Sequence, residues 1–185
     1  MVTYQTLEYT NTKWEDSQVA ATSVKLGVTA PTWEGGFKGD GDMYCLNFVH
    51  NQADEVLFTV QLPHARKLTS LVYPHVHFTP YAALGAGTYA GQFILKYYYG
   101  LIGGSFSALQ TITMTKNWTG EQQWVHFIAD TTPYSLAAGI STVLQCRLYR
   151  DNTVGNNFAG KLSFLGFDFH LEIDTPAGSG QETAK

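Results

Sequence analysis

Two histidines one residue apart, His75 and His77, lie in LVYPHVHFTP, residues 71–80. On an extended strand alternate side chains share a face, so both imidazoles fall on the side of Tyr73, with Val72, Val76 and Phe78 on the other. Near the end of the chain, FDFHLEI (167–173) repeats the pattern: Asp168, His170 and Glu172 share one face, and Phe167, Phe169, Leu171 and Ile173 share the opposite, core-like one. In QQWVHFIA (122–129), the same parity puts His126 with Trp124 and opposite Val125 and Phe127. Imidazoles and carboxylates brought to one face could ligate zinc or another transition metal. Packed against one another, they could equally bridge strands or subunits. His75, His77, His126, Asp168, His170 and Glu172 are therefore the candidate cluster, and polar packing is the use expected of them.

The catalytic templates are absent. There is no G-x-S-x-G elbow, phosphate loop, H-E-x-x-H or zinc-type cysteine pair. Cupins open their metal motif with His-x-His, but follow it with a Glu, a Gly and a later His; HVHFTPYAALGAG carries no acid, and this pair points away from the core face. GDGD at 39–42 begins like a calcium loop without the closing acid and reads as a turn. No carboxylate pair is nominated for glycoside hydrolysis. KYYYG (96–100) offers rings that could stack on sugars, although alternation buries some of them. No catalytic residue, metal site or cofactor is expected, and the chain is read as a non-enzyme.

The elements that must position these residues are short and β-rich. The 185 residues are 14% charged and 14% aromatic, with 18 Gly, which leaves apolar surface to hide against neighbours. Eight runs rich in Val, Ile, Phe, Tyr and Thr are bounded by turn residues: 42–49, 55–62, 71–79, 91–99, 108–115, 122–129, 142–149 and 161–173. Eight antiparallel strands predict an all-β, jelly-roll-like sandwich. Jelly-roll order puts 42–49, 161–173, 71–79 and 122–129 in one sheet, in that sequence. The other sheet takes 55–62, 142–149, 91–99 and 108–115. The order brings the histidine strands side by side. Residues 1–40 read as an irregular N-terminal arm with a strand near 18–28, residues 41–174 as the sandwich, and 175–185 as a polar tail; PYSLAAG (133–139) reads as a helical turn. Cys45 and Cys146 sit inside strand-like runs and read as buried free thiols. A net charge of −4 with 11 Lys and Arg argues against a nucleic-acid partner. No apolar run reaches the ~18 residues of a membrane helix, and residues 1–14 carry no apolar signal core.

A wider pattern emerges from motif order: FTVQLPHARK (58–67), PHVHFTP (74–80), LKYYYG (95–100), CRLYRDN (146–152) and the C-terminal GFDFHLEIDTPAGSGQETAK (166–185). Over residues 55–185 this resembles a family of small virion structural proteins of tailed bacteriophages and prophages. That family carries LPH, PHxHW, YRD and a closing HY..D..GS motif ending near a Lys. Phe78 stands where the family often has Trp, and Leu171 where it often has Tyr. The resemblance implies a virion protein (head decoration, fibre or tail-associated) located in the particle. Its implied partners are copies of itself, in a trimer, and other virion proteins. A receptor- or carbohydrate-binding module that meets host-surface glycan is the second expectation, and a metal-dependent β-barrel enzyme the third.

Overall fold

A computed structural model describes residues 13–136, 139, 141–151, 153 and 157–173. The strands are β1 (Lys13–Ala20), β2 (Lys25–Leu26), β3 (Thr32–Phe37), β4 (Asp40–Phe48), β5 (Glu55–Gln61) and β6 (Val72–Pro80). They continue with β7 (Thr88–Gly100), β8 (Gln110–Thr119), β9 (Phe127–Ala129), β10 (Val143–Arg150) and β11 (Leu162–Ile173). All pairings between named strands are antiparallel.

One sheet runs β3-β4-β11-β6-β9, with β1 also on β11; the other runs β2-β5-β10-β7-β8. The eight strands read from the sequence thus stand in the jelly-roll order they predicted. The inward faces meet through rings that cross between the sheets. Phe58 lies 5.2 Å from Phe167, Phe78 lies 5.4 Å from Phe93, and Phe48 lies 5.9 Å from Phe93, centroid to centroid. Val76, Phe78, Phe167, Phe169 and Leu171, the expected core of the histidine strands, are all buried. Cys45 and Cys146 are buried free thiols, as read.

Three local features differ from the sequence reading. First, residues 13–37 are not an irregular arm: β1 pairs with β11 from Lys13↔Ile173 to Ala20↔Gly166, and β3 pairs with β4. Only Val19 of β1 is buried, so this strand lacks the apolar alternation that would have revealed it. The β3–β4 hairpin closes through Lys38 and Gly39, both at positive φ (52° and 87°), the pattern of a two-residue type I′ turn. Of GDGD, read as a turn, only Gly39 lies in it; Asp40, Gly41 and Asp42 begin β4. Second, β9 is short. Residues 122–126 precede it as a turn, with Trp124 at φ 64°, so alternation fails there and Val125 is exposed. Third, Pro133–Leu136 of the expected helical turn form no helix, and Tyr134 instead bridges Val72. Residues 137 and 138 of that turn and the whole 175–185 tail lie outside the described residues.

The YRD motif has a structural job. Arg150 is fully buried, and its Nη1 donates to the carbonyl oxygens of Phe48 (3.1 Å) and Gly160 (2.7 Å), while Nη2 donates to that of Phe158. One guanidinium so ties β4, the strand β10 that carries it, and the segment leading into β11. Burial lowers its pKa to about 9 despite the opposing charge of Asp54.

Candidate functional site

The cluster is built on the outer face of the first sheet by strand register. Asp168 on β11 is paired directly with His75 on β6, His77 is paired with Gly166, and His170 with Tyr73. On the far side of β11, Asp16 of β1 is paired with His170. A bulge at Leu165, between Phe164↔Phe78 and Gly166↔His77, sets this register. It also switches parity along β11. Leu162 and Phe164 point inward before it, and Phe167, Phe169 and Leu171 after it. Without the extra residue one of these sets would face water. Asp168 takes its outward position from the same switch.

Asp168 is the centre. It is only 4% exposed. Its Oδ2 accepts from His77 Nε2 at 2.6 Å, and its Oδ1 lies 3.2 Å from His75 Nδ1. Among the described residues Oδ1 accepts no hydrogen bond, yet the charges of the second contact remain close enough to favour each other. Burial by itself would raise the Asp168 pKa. The contacts from His75 and His77 outweigh it and hold the carboxyl at about 2. His75 is raised in turn, first by its contact with Asp168, against the opposing effect of burial, and further by the charges of Asp168, Asp130 and Asp16.

The other histidines flank this pair on two sides. His77 Nδ1 meets His126 Nε2 at 2.9 Å, one nitrogen donating and the other accepting. His126 therefore joins the cluster from the turn before β9, not from a strand. His170 Nδ1 donates to Asp16 Oδ1 at 2.6 Å, and its ring lies 5.9 Å from that of His75. Trp14 stacks on His170 at 4.7 Å and 5° and stands edge-on to Tyr73 at 5.5 Å. Glu172, although on the same face, is taken by Lys67 Nζ at 2.6 Å. The structure so brings together five of the six expected residues and sends Glu172 to a different partner. Sequence reading missed Asp16 and Trp14. Their only signal is the spacing of 14, 16 and 18 in KWEDSQVA, and polar residues on both faces hide it.

Two other surfaces stand out. At the β3–β4 side, Ala20, Trp33, Phe37, Met43, Tyr44 and Leu165 line much of a shallow hollow of about 300 Å³ in which, among the described residues, no lining residue is charged. Met43 and Tyr44 are 54% and 65% exposed there. On the outer face of the second sheet, Thr59, Lys96, Tyr98, Gln145 and Arg147 line part of an open groove of about 630 Å³. Of the KYYYG rings, Tyr97 is buried and Tyr98 exposed, as alternation requires.

No protein family and no curated protein matches the chain. Among the solved structures similar to it are two whose likeness is one of fold alone. One is a carbohydrate-binding module, CBM36, in complex with calcium and xylotriose: 18% identity, TM-score 0.40, covering 82% of this chain and 98% of that one. The other is the arabinose-bound α-L-arabinofuranosidase MgGH51: 12% identity, TM-score 0.32, covering 86% of this chain and 23% of that one. This protein is of the antiparallel β-sandwich class with jelly-roll strand order, a statement that stands on its own strand pairing.

Proposed function

We propose that this protein is a structural component of a tailed-phage virion that acts by protein–protein assembly, without catalysis. The observation that carries the reading is the uncharged hollow around Trp33, Phe37, Met43 and Tyr44. A contiguous apolar surface with aromatic and Met side chains and no charge has the composition of an interface core. The motif order from LPH to the C-terminal HLEIDTPAGSG supports the virion assignment. We place copies of the chain around this surface in a homotrimer, with other virion proteins as neighbours. Locating the chain in an electron-microscopy map of particles that encode it is the test. Density for the sandwich at a head, fibre or tail position is expected; purified particles lacking the chain would refute the reading.

A second reading, a glycan-binding module, is favoured by the groove of the second sheet. There the exposed Tyr98 ring lies among Gln145, Thr59, Lys96 and Arg147, an aromatic platform edged by hydrogen-bonding groups. A glycan array distinguishes the two. Saturable binding lost on Tyr98→Ala would bring this reading forward, and a blank array leaves assembly as the function.

A further inference from the structure

Outer faces of sheets normally turn carboxylates toward water. Asp168 departs from this. It is 4% exposed, and Oδ1 is shielded from solvent without accepting a hydrogen bond. A buried acceptor left in this state is costly, and a cation is one group that relieves it. The residues beside it are two imidazoles, His75 directly across the strands and His77 opposite Gly166.

We propose that His75, His77 and Asp168 form a binding site for one divalent transition-metal ion. One donor atom from each lies within 4.8 Å of the others. Ligands about 2.0–2.2 Å from a shared ion stand roughly 3–3.5 Å apart. The 3.2 Å between His75 Nδ1 and Asp168 Oδ1 already has that spacing. The 2.6 Å between His77 Nε2 and Asp168 Oδ2 has to open by about 1 Å or less to reach it, a side-chain rotation. Two imidazole nitrogens with a carboxylate that turns Oδ1 to His75 and Oδ2 to His77 select ions of the zinc, cobalt and nickel type over magnesium and calcium, which prefer oxygen donors throughout.

The surroundings are those of a supported site. The ligands stand on two paired interior strands of the sheet, which fix their backbone positions. With Nε2 of His77 on the ion, its Nδ1–H is left to donate to His126 Nε2, 2.9 Å away. An outer partner of this kind fixes the tautomer of a ligating imidazole. His75 is flanked by the His170 ring, itself held by Asp16. A groove of about 480 Å³, lined in part by Gln18, Ser23, His77, His126 and Asp168, borders the site and leaves room for water on the ion.

The test uses the untagged full chain, stripped with chelator and titrated with Zn²⁺ by calorimetry and with Co²⁺ by visible absorption. One equivalent should bind, with Co²⁺ bands characteristic of nitrogen and oxygen ligands. Asp168→Asn and His77→Gln should abolish binding, and His126→Gln, which removes a hydrogen bond and ring contact to His77, should weaken it about 10–100-fold. His64→Gln, a histidine away from the cluster, should change nothing. Wild-type protein that binds neither ion overturns the proposal. So does binding that survives Asp168→Asn and His77→Gln, or is lost in His64→Gln. Thermal melts establish that the variants fold. Should Asp168→Asn and His77→Gln not fold, nuclear magnetic resonance of the wild type decides. Paramagnetic Co²⁺ should broaden the His75, His77 and His126 ring signals, and broadening confined to His50 or His64 refutes the site.

Discussion

Asp168 and His75 are register partners across β11 and β6, and each shifts the other's proton equilibrium toward the charged pair. The sign of the stability change follows for metal-free protein. Asp168 is lowered from 3.8 to about 2, so its contribution is present above about pH 4 and is lost as pH falls toward 2. His75 is raised from 6.5, so its contribution is fully present below about pH 6.5 and is lost as pH rises through its folded-state value. The two limbs share the His75–Asp168 contact and are not added; the acid limb also carries the contact of Asp168 with His77. Chelator-treated protein should be most stable between about pH 4 and 6.5, with about 2 kcal/mol lost on the acid side. Urea denaturation across this range measures it. Asp168→Asn should flatten both limbs; a variant profile that parallels the wild type would contradict the pairing.

Arg150 should be among the least replaceable side chains. Its guanidinium donates to three backbone carbonyl oxygens, in two buried hydrogen bonds and one part-buried one, and removing it takes these donors away. Arg150→Ala should cost about 3–5 kcal/mol in chemical denaturation. Arg150→Lys should recover little, because one ammonium lacks the planar fork that reaches several acceptors. Near-complete rescue by Lys would show that charge, not geometry, is what matters.

Strand β1 should be held largely by its outer face. Trp14 stacks on His170, and Asp16 accepts from the same ring, whereas only Val19 reaches the core. Trp14→Ala should destabilise by about 1 kcal/mol. It should also speed hydrogen exchange in residues 15–19 while leaving β6 and β10 protected. Uniform acceleration over all strands would mean that β1 is part of the global cooperative unit.

The uncharged hollow should govern self-association. Met43→Asp and Tyr44→Glu place charges on exposed positions, so the fold should be unaffected, with changes within about 0.5 kcal/mol. Light scattering at micromolar concentration should show a wild-type oligomer and monomeric variants. A wild-type monomer, or variants that remain oligomeric, would remove this surface as the self-contact.

The strand-level architecture was legible because alternation is local. Each of the eight runs carries its own record of which face is apolar, and buried Val76, Phe78, Phe169 and Leu171 follow it. Where the backbone leaves the extended form, the record fails. Trp124 at positive φ breaks the parity that placed His126 on a strand. β1 escaped because a strand added to one edge of β11 buries almost nothing, and polar residues on both faces leave no period to read.

The cluster divides in the same way. Sequence by itself determined that His75 and His77 share a face, that Asp168 and His170 share another, and that eight strands of this spacing close into a jelly roll, because period-two geometry and strand count are properties of the chain. Only tertiary structure decided that Asp168 is buried between two imidazoles, that Glu172 turns to Lys67, and that Asp16 and Trp14 complete the face. These depend on inter-strand register, and the single extra residue at Leu165 sets that register on β11. A one-residue shift between strands reverses every facing pair without altering either strand's own pattern, so no local signal encodes it.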